Sequence, residues 1–119
     1  MAHTVAAANN YASDLISLER FKEAKTVLRK TLPVARRVLG ESHELTLRMR
    51  TNNTTALVNA DGATLDDLRE GVATLEDTDR IARRTFGGAH PLTLAIEHAL
   101  RQSRAALHAC ETPPPPERP

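Results

Sequence analysis

The chain has 119 residues, enough for one domain, and its 40% hydrophobic and 26% charged content is that of a globular protein. A formal net charge of +1 excludes a long-range field that would gather nucleic acid or an acidic membrane, and a single cysteine, Cys110, excludes an internal disulfide. Aromatic residues make up only 3%, without tryptophan, so any core must be built from many small Leu, Ala and Val contacts between close helices. No apolar run reaches membrane-spanning length, and Met1-Ala2-His3 opens no secretory leader. A soluble, cytoplasmic protein is expected.

Val5, Ala8, Ala12 and Leu15 recur at helical spacing, with Asn9, Asn10 and Ser13 on the other side; they predict a helix over 3–18, with no clear stop signal after it. Phe21, Ala24, Leu28, Leu32, Ala35 and Leu39 predict a second helix over 20–39, closed by Gly40, with Arg36 and Arg37 at its carboxyl end where cations suit the dipole. Pro33 lies inside that stripe and predicts a kink, with a true break as the alternative.

Ser42 is the expected cap of a third helix over 44–59, whose apolar side is thin: Leu45, Leu47, Ala56, Leu57 and Val58. Its middle, Arg50 to Thr55, is made of mediocre helix formers, so tertiary packing must hold it. Asp61-Gly62 marks a turn, and Thr64 with Asp67 resembles a capping box opening a fourth helix over 64–86. Its stripe is Leu65, Leu68, Val72, Leu75, Ala82 and Phe86, with Asp79 as one acidic slot, expected to be open to solvent or paired with Arg83 one turn on. Gly87-Gly88 ends it, and Pro91 opens a fifth helix over 91–110 with a narrow stripe of Ile96, Leu100, Ser103, Leu107 and Cys110. The tail from Thr112 to Pro119 is expected to be extended and flexible.

Leu39-Gly40-Glu41-Ser42-His43-Glu44-Leu45-Thr46-Leu47 returns as Phe86-Gly87-Gly88-Ala89-His90-Pro91-Leu92-Thr93-Leu94. Thr4 aligns with Thr46 at a spacing of 42, and Ala35-Arg36-Arg37 with Ala82-Arg83-Arg84 at 47. The extra residues fall in the loop near Asn59 to Ala63, where insertions cost little. The unit is helix A, turn, helix B; two units and a closing helix fill the chain, with repeats near 3–40 and 44–87 in a repeat domain over 1–111.

Phe21-Lys22-Glu23-Ala24, with Ala12 at the small position of the preceding helix, resembles the tetratricopeptide turn. The long period, the Leu-Gly-x-x-His-x-x-Thr-Leu junction and Asn9-Asn10 resemble the kinesin-light-chain variety of these repeats. Gly71 and Leu68 depart from the family's small and aromatic residues, and the third copy keeps only its first helix. The resemblance implies an all-α superhelix (α-α, tetratricopeptide-like), right-handed, with a concave wall of A helices that binds peptide segments of other proteins. Outward A-helix positions are Asn9, Asn10, Ser13 and Ser17, then Arg48, Thr51, Asn52, Thr55 and Asn59, then His98 and Gln102. Their amides and hydroxyls suit a peptide backbone.

Weighed against this scaffold reading is a structural piece, a C-terminal cap of a longer array or a self-associating unit with no ligand of its own. An apolar flank of the first helix, including Val5, Leu15 and Val27, makes a homo-oligomer an expectation. No cofactor is expected, and no enzyme: no Ser/His/Asp, Cys/His or paired-carboxylate set is present, and His43 and His90 read as turn caps rather than metal ligands. The Arg pairs read as solvated helix ends, and Pro113-x-x-Pro116-x-Arg118 satisfies a short SH3-ligand pattern that a plain tail also explains.

Overall fold

The computed structural model describes residues 2–112. The proline-rich tail and its SH3-type pattern lie outside the described residues. Among these there are five helices and no strand: α1 (Ala2–Ser17), α2 (Phe21–Leu39), α3 (Glu44–Asn59), α4 (Leu65–Phe86) and α5 (Pro91–Glu111). Consecutive helices pack on one another, and α3 also packs on α1 and α5. The A helices α1, α3 and α5 thus stand side by side, with α2 and α4 behind them, as in an all-α repeat of tetratricopeptide type.

Helix ends follow local chemistry. Gly40 and Gly87, with φ of 94° and 88°, close α2 and α4 by donating to Arg36 and Arg83 carbonyls. α1 stops without glycine. Glu19 takes φ of 59°, its N–H donates to the Ile16 carbonyl at 2.9 Å, and the Arg20 N–H donates to that of Leu15 at 2.8 Å. This is a Schellman closure built on a left-handed glutamate. α2 runs unbroken through Pro33, which is exposed, so the alternative of a break does not hold.

The cap of α3 is a correction. Ser42 is exposed, and His43 Nδ1 accepts the Leu45 N–H at 3.1 Å. His90 Nδ1 does the same for Leu92 at 3.0 Å and stacks at an angle on Phe86, centroids 4.7 Å apart. An imidazole acceptor reaches the second helical N–H as an N-cap carboxylate would. Thr64 and Asp67 form the expected capping box.

The first core joins Val5, Ala12, Leu28, Leu32, Ala35 and Met49 from α1, α2 and α3; the second joins Leu47, Leu75, Ala82, Leu92, Ile96 and Leu100 from α3, α4 and α5. Ala8, Leu45, Val58, Leu65, Val72, Phe86 and Leu107 are half-buried. Three expectations fail. Cys110 is exposed in the last turn of α5. Val5 and Leu15 are 1% exposed and cannot form an open flank; they face α2. The thin apolar side of α3 is thickened by Thr46, Met49, Arg50 and Thr54, all buried.

Gly71 marks the close crossing of α3 and α4. A Cβ there would lie 2.5 Å from Val58 Cγ1 and 3.2 Å from Thr54 Cγ2. Both neighbours are β-branched and stiff in a helix. Gly71→Ala should therefore destabilise by about 1–2 kcal/mol, the overpacking cost exceeding the gain of ~1 kcal/mol in helix propensity. Urea denaturation should also show that adding Val58→Ala recovers stability; additive losses would mean the crossing relaxes freely.

Candidate functional site

The polar positions expected on the A-helix wall differ in exposure and in the partners they meet. Asn9 is a correction: it is 7% exposed, and its Oδ1 accepts the Asn52 Nδ2 at 2.9 Å. Asn52 Nδ2 also reaches Ser13 Oγ at 3.5 Å. Asn9 and Asn52 thus clamp α1 to α3, a use of amides that sequence reading assigned to a ligand. The reason is register. Position 9 of one A helix meets position 52 of the next, and a buried amide needs a partner.

The second A-helix junction has no such clamp. The slots corresponding to Asn9 and Asn52 are Thr51 and Ala99. Thr51 and Thr55 donate instead to their own helix, to the Leu47 and Thr51 carbonyls. Ser17 and Asn59 likewise donate one turn back, to Ser13 and Thr55. Arg48 pairs with Glu44 at 2.9 Å, and the hydrogen bond from Arg48 holds the Glu44 carboxyl below its ordinary range. Asn10, His98 and Gln102 are exposed, as are Ser13, Ser17, Arg48 and Asn59; Thr51, Asn52 and Thr55 are half-buried. The wall therefore joins α1, α3 and α5 through polar groups, several already engaged within the chain.

Charges elsewhere are mostly paired at the surface. Arg83 bridges Asp79 and Glu97, and Arg104 meets Glu76 at 3.0 Å, so α4 and α5 are tied by ion pairs along their length. Asp79, only 17% exposed, is held by Arg83 at 2.9 Å as its i,i+4 spacing suggests. Arg36 meets Glu41 at 3.3 Å, while Arg37 and Arg84 are exposed. There are two open depressions. One is at the turns, lined by Glu19 to Glu23 and Asn59 to Asp61; the other lies between α2 and α4 and is lined also by Asn53 and Leu57 of α3.

Among the described residues no group of three or more His, Cys, Asp or Glu side chains is placed to hold a metal. No helix there is long and apolar enough to cross a membrane.

Comparison with curated proteins and with solved structures gives no match. A family model described as tetratricopeptide repeat matches residues 4–44, which are α1, α2 and the turn that follows. The first helical pair is thus similar in sequence to a tetratricopeptide repeat.

Proposed function

We propose that the chain is a non-catalytic interaction module that holds an extended segment of a partner protein against the wall of α1, α3 and α5. Tetratricopeptide repeats generally mediate protein–protein interaction. What carries the finer reading is the side-by-side packing of three A helices with polar groups outward, Asn10, Arg48 and Gln102 among them. Exposed amides both donate and accept, which suits a peptide backbone, and Arg48 adds a preference for an acidic residue. The Leu-Gly-x-x-His-x-x-Thr-Leu junctions, whose histidines cap the following helices, support the kinesin-light-chain variety of repeat.

The test is selection of linear peptides from a random library, followed by titration. The triple variant Asn10→Ala, Arg48→Ala, Gln102→Ala should bind a selected peptide at least tenfold more weakly, since each lost hydrogen bond is worth about 1 kcal/mol. None of the three bridges two helices in the structure, so the melting temperature should hold. Unchanged binding in the triple variant would move the site off this wall. Failure to select any peptide would favour the capping or self-associating alternative.

A further inference from the structure

α2 and α4 are the second helices of successive units, and they do not pack on each other; α3 packs on both and separates them. The gap between them has walls of opposite charge. Lys25, Arg29 and Arg36 line it from α2, Asp67 and Glu70 from α4. Arg36 is engaged by Glu41, and Asp67 Oδ2 accepts the Thr64 N–H. Lys25, Arg29 and Glu70 form no ion pair among the described residues, so no bridge closes the gap. The walls nonetheless face each other: the Asp67 carboxyl, held low first by the Thr64 backbone N–H, also feels Lys25. Between the walls α3 contributes Asn53, which is half-buried. Its neighbour Asn52 holds Asn9, but the Asn53 amide meets no partner among the described residues.

We propose that this gap binds an extended segment of a partner protein in which one basic residue stands between two acidic ones. Charge and spacing together select that order. Lys25 and Arg29 are one helical turn apart, about 6 Å along α2. In an extended segment successive side chains point opposite ways, and residues i and i+2 lie about 6.6–6.8 Å apart on one side. Carboxylates at i and i+2 therefore meet Lys25 and Arg29, while the cation at i+1 points across to Glu70 and Asp67. With its side chains turned to the two walls, the segment turns backbone N–H and C=O groups toward α3. There the Asn53 amide can both donate and accept. The gap measures about 470 Å³. That is about the bulk of one helical turn, roughly 10 Å wide and 5.4 Å high, so an extended occupant fits where a helix of several turns would not. None of the polar residues proposed for the A-helix wall lines this gap, so the two sites are separate.

The probe is a synthetic peptide, blocked at both ends, with the core glutamate-lysine-glutamate flanked by glycine and serine. Its control has the core glutamate-glutamate-lysine, which keeps the charge and changes only the order. Both are titrated into the isotope-labelled full chain and followed by amide resonances, which read weak binding and locate it. Saturable shifts centred on the Asn53 side-chain amide are expected, with the control binding at least fivefold more weakly. Arg29→Glu and Glu70→Lys should each weaken the probe at least fivefold. Both residues are exposed and unpaired among the described residues, so the melting temperature should hold and the loss should report the gap alone. The wall variant Asn10→Ala, Arg48→Ala, Gln102→Ala should bind the probe normally. Absence of saturable shifts at Asn53, equal affinity for the two orders, tighter binding of an all-glutamate core, or unchanged binding by Arg29→Glu would overturn the assignment. Loss of binding in the wall variant would overturn it too, because it would place the probe on the A helices.

Discussion

Met49→Ala should destabilise the chain by about 2–5 kcal/mol, the range for deleting a large buried side chain and leaving a cavity. Met49 is 0% exposed and is the long side chain by which α3 enters the first core, against Leu28, Leu32 and Ala35 of α2. A domain of this size holds only about 5–15 kcal/mol in total, so the melting temperature should fall by roughly 10 °C or more. Met49→Leu, which conserves volume, should cost less than about 1.5 kcal/mol. Urea unfolding measures both. The counterpart slot in the second core is Ile96, also 0% exposed. Ile96→Ala should act on the α4–α5 junction while leaving the first intact. If stability is carried by neighbouring interfaces, as in stacked repeats, the two losses should add in the double variant. A loss below 1 kcal/mol for Met49→Ala would mean that the first core collapses around the gap.

The course of the chain was legible in the sequence because its signals are local. Gly40 and Gly87 adopt the positive φ that ends a helix, and the repeated junction places both turns. The end of α1 carries no such mark, since Glu19 is held left-handed by two backbone hydrogen bonds rather than by its own preference. Long-range partners were less visible. Asn9 reads as an outward amide until α3 brings Asn52 to it, and Thr54 reads as polar until its hydroxyl donates to the Arg50 carbonyl and leaves a methyl to pack. A threonine satisfied within its own helix behaves in the core much like valine. That is why α3, with so thin an apolar stripe, sits at the centre of the stack. The same effect trims the candidate wall. Ser17, Thr51 and Thr55 spend their hydroxyls within their own helices, and Asn10, His98 and Gln102 are left as its exposed polar side chains with no hydrogen bond among the described residues.

Asp77→Asn should destabilise by about 2 kcal/mol, and Arg50→Met should be neutral or stabilising. The Arg50 side chain is 8% exposed. One of its terminal nitrogens donates to Asp77 Oδ2 at 2.9 Å, but its Nε is buried without a partner among the described residues. The guanidinium has lost most of its water and regained one charged contact, so an unbranched apolar chain of similar length should fill the space at no loss. Removing the carboxylate alone does the opposite and leaves a buried cation without its counter-charge. The hydrogen bond from Arg50 holds the Asp77 carboxyl below its ordinary value of 3.8. Its folded value therefore lies under its unfolded one. The stability it contributes is complete above that ordinary value and is lost as pH falls through the lowered one. Asp67, held low by the Thr64 backbone N–H, and Glu44 act in the same sense. Acid unfolding should therefore persist in Asp77→Asn but with a shallower dependence on pH. In the Arg50→Met background, Asp77→Asn should cost almost nothing, because there is then no buried charge for it to strand. A full ~2 kcal/mol loss in that background would assign the role of Asp77 to its second contact, Arg80 at 3.0 Å, and remove its pair with Arg50 from the account.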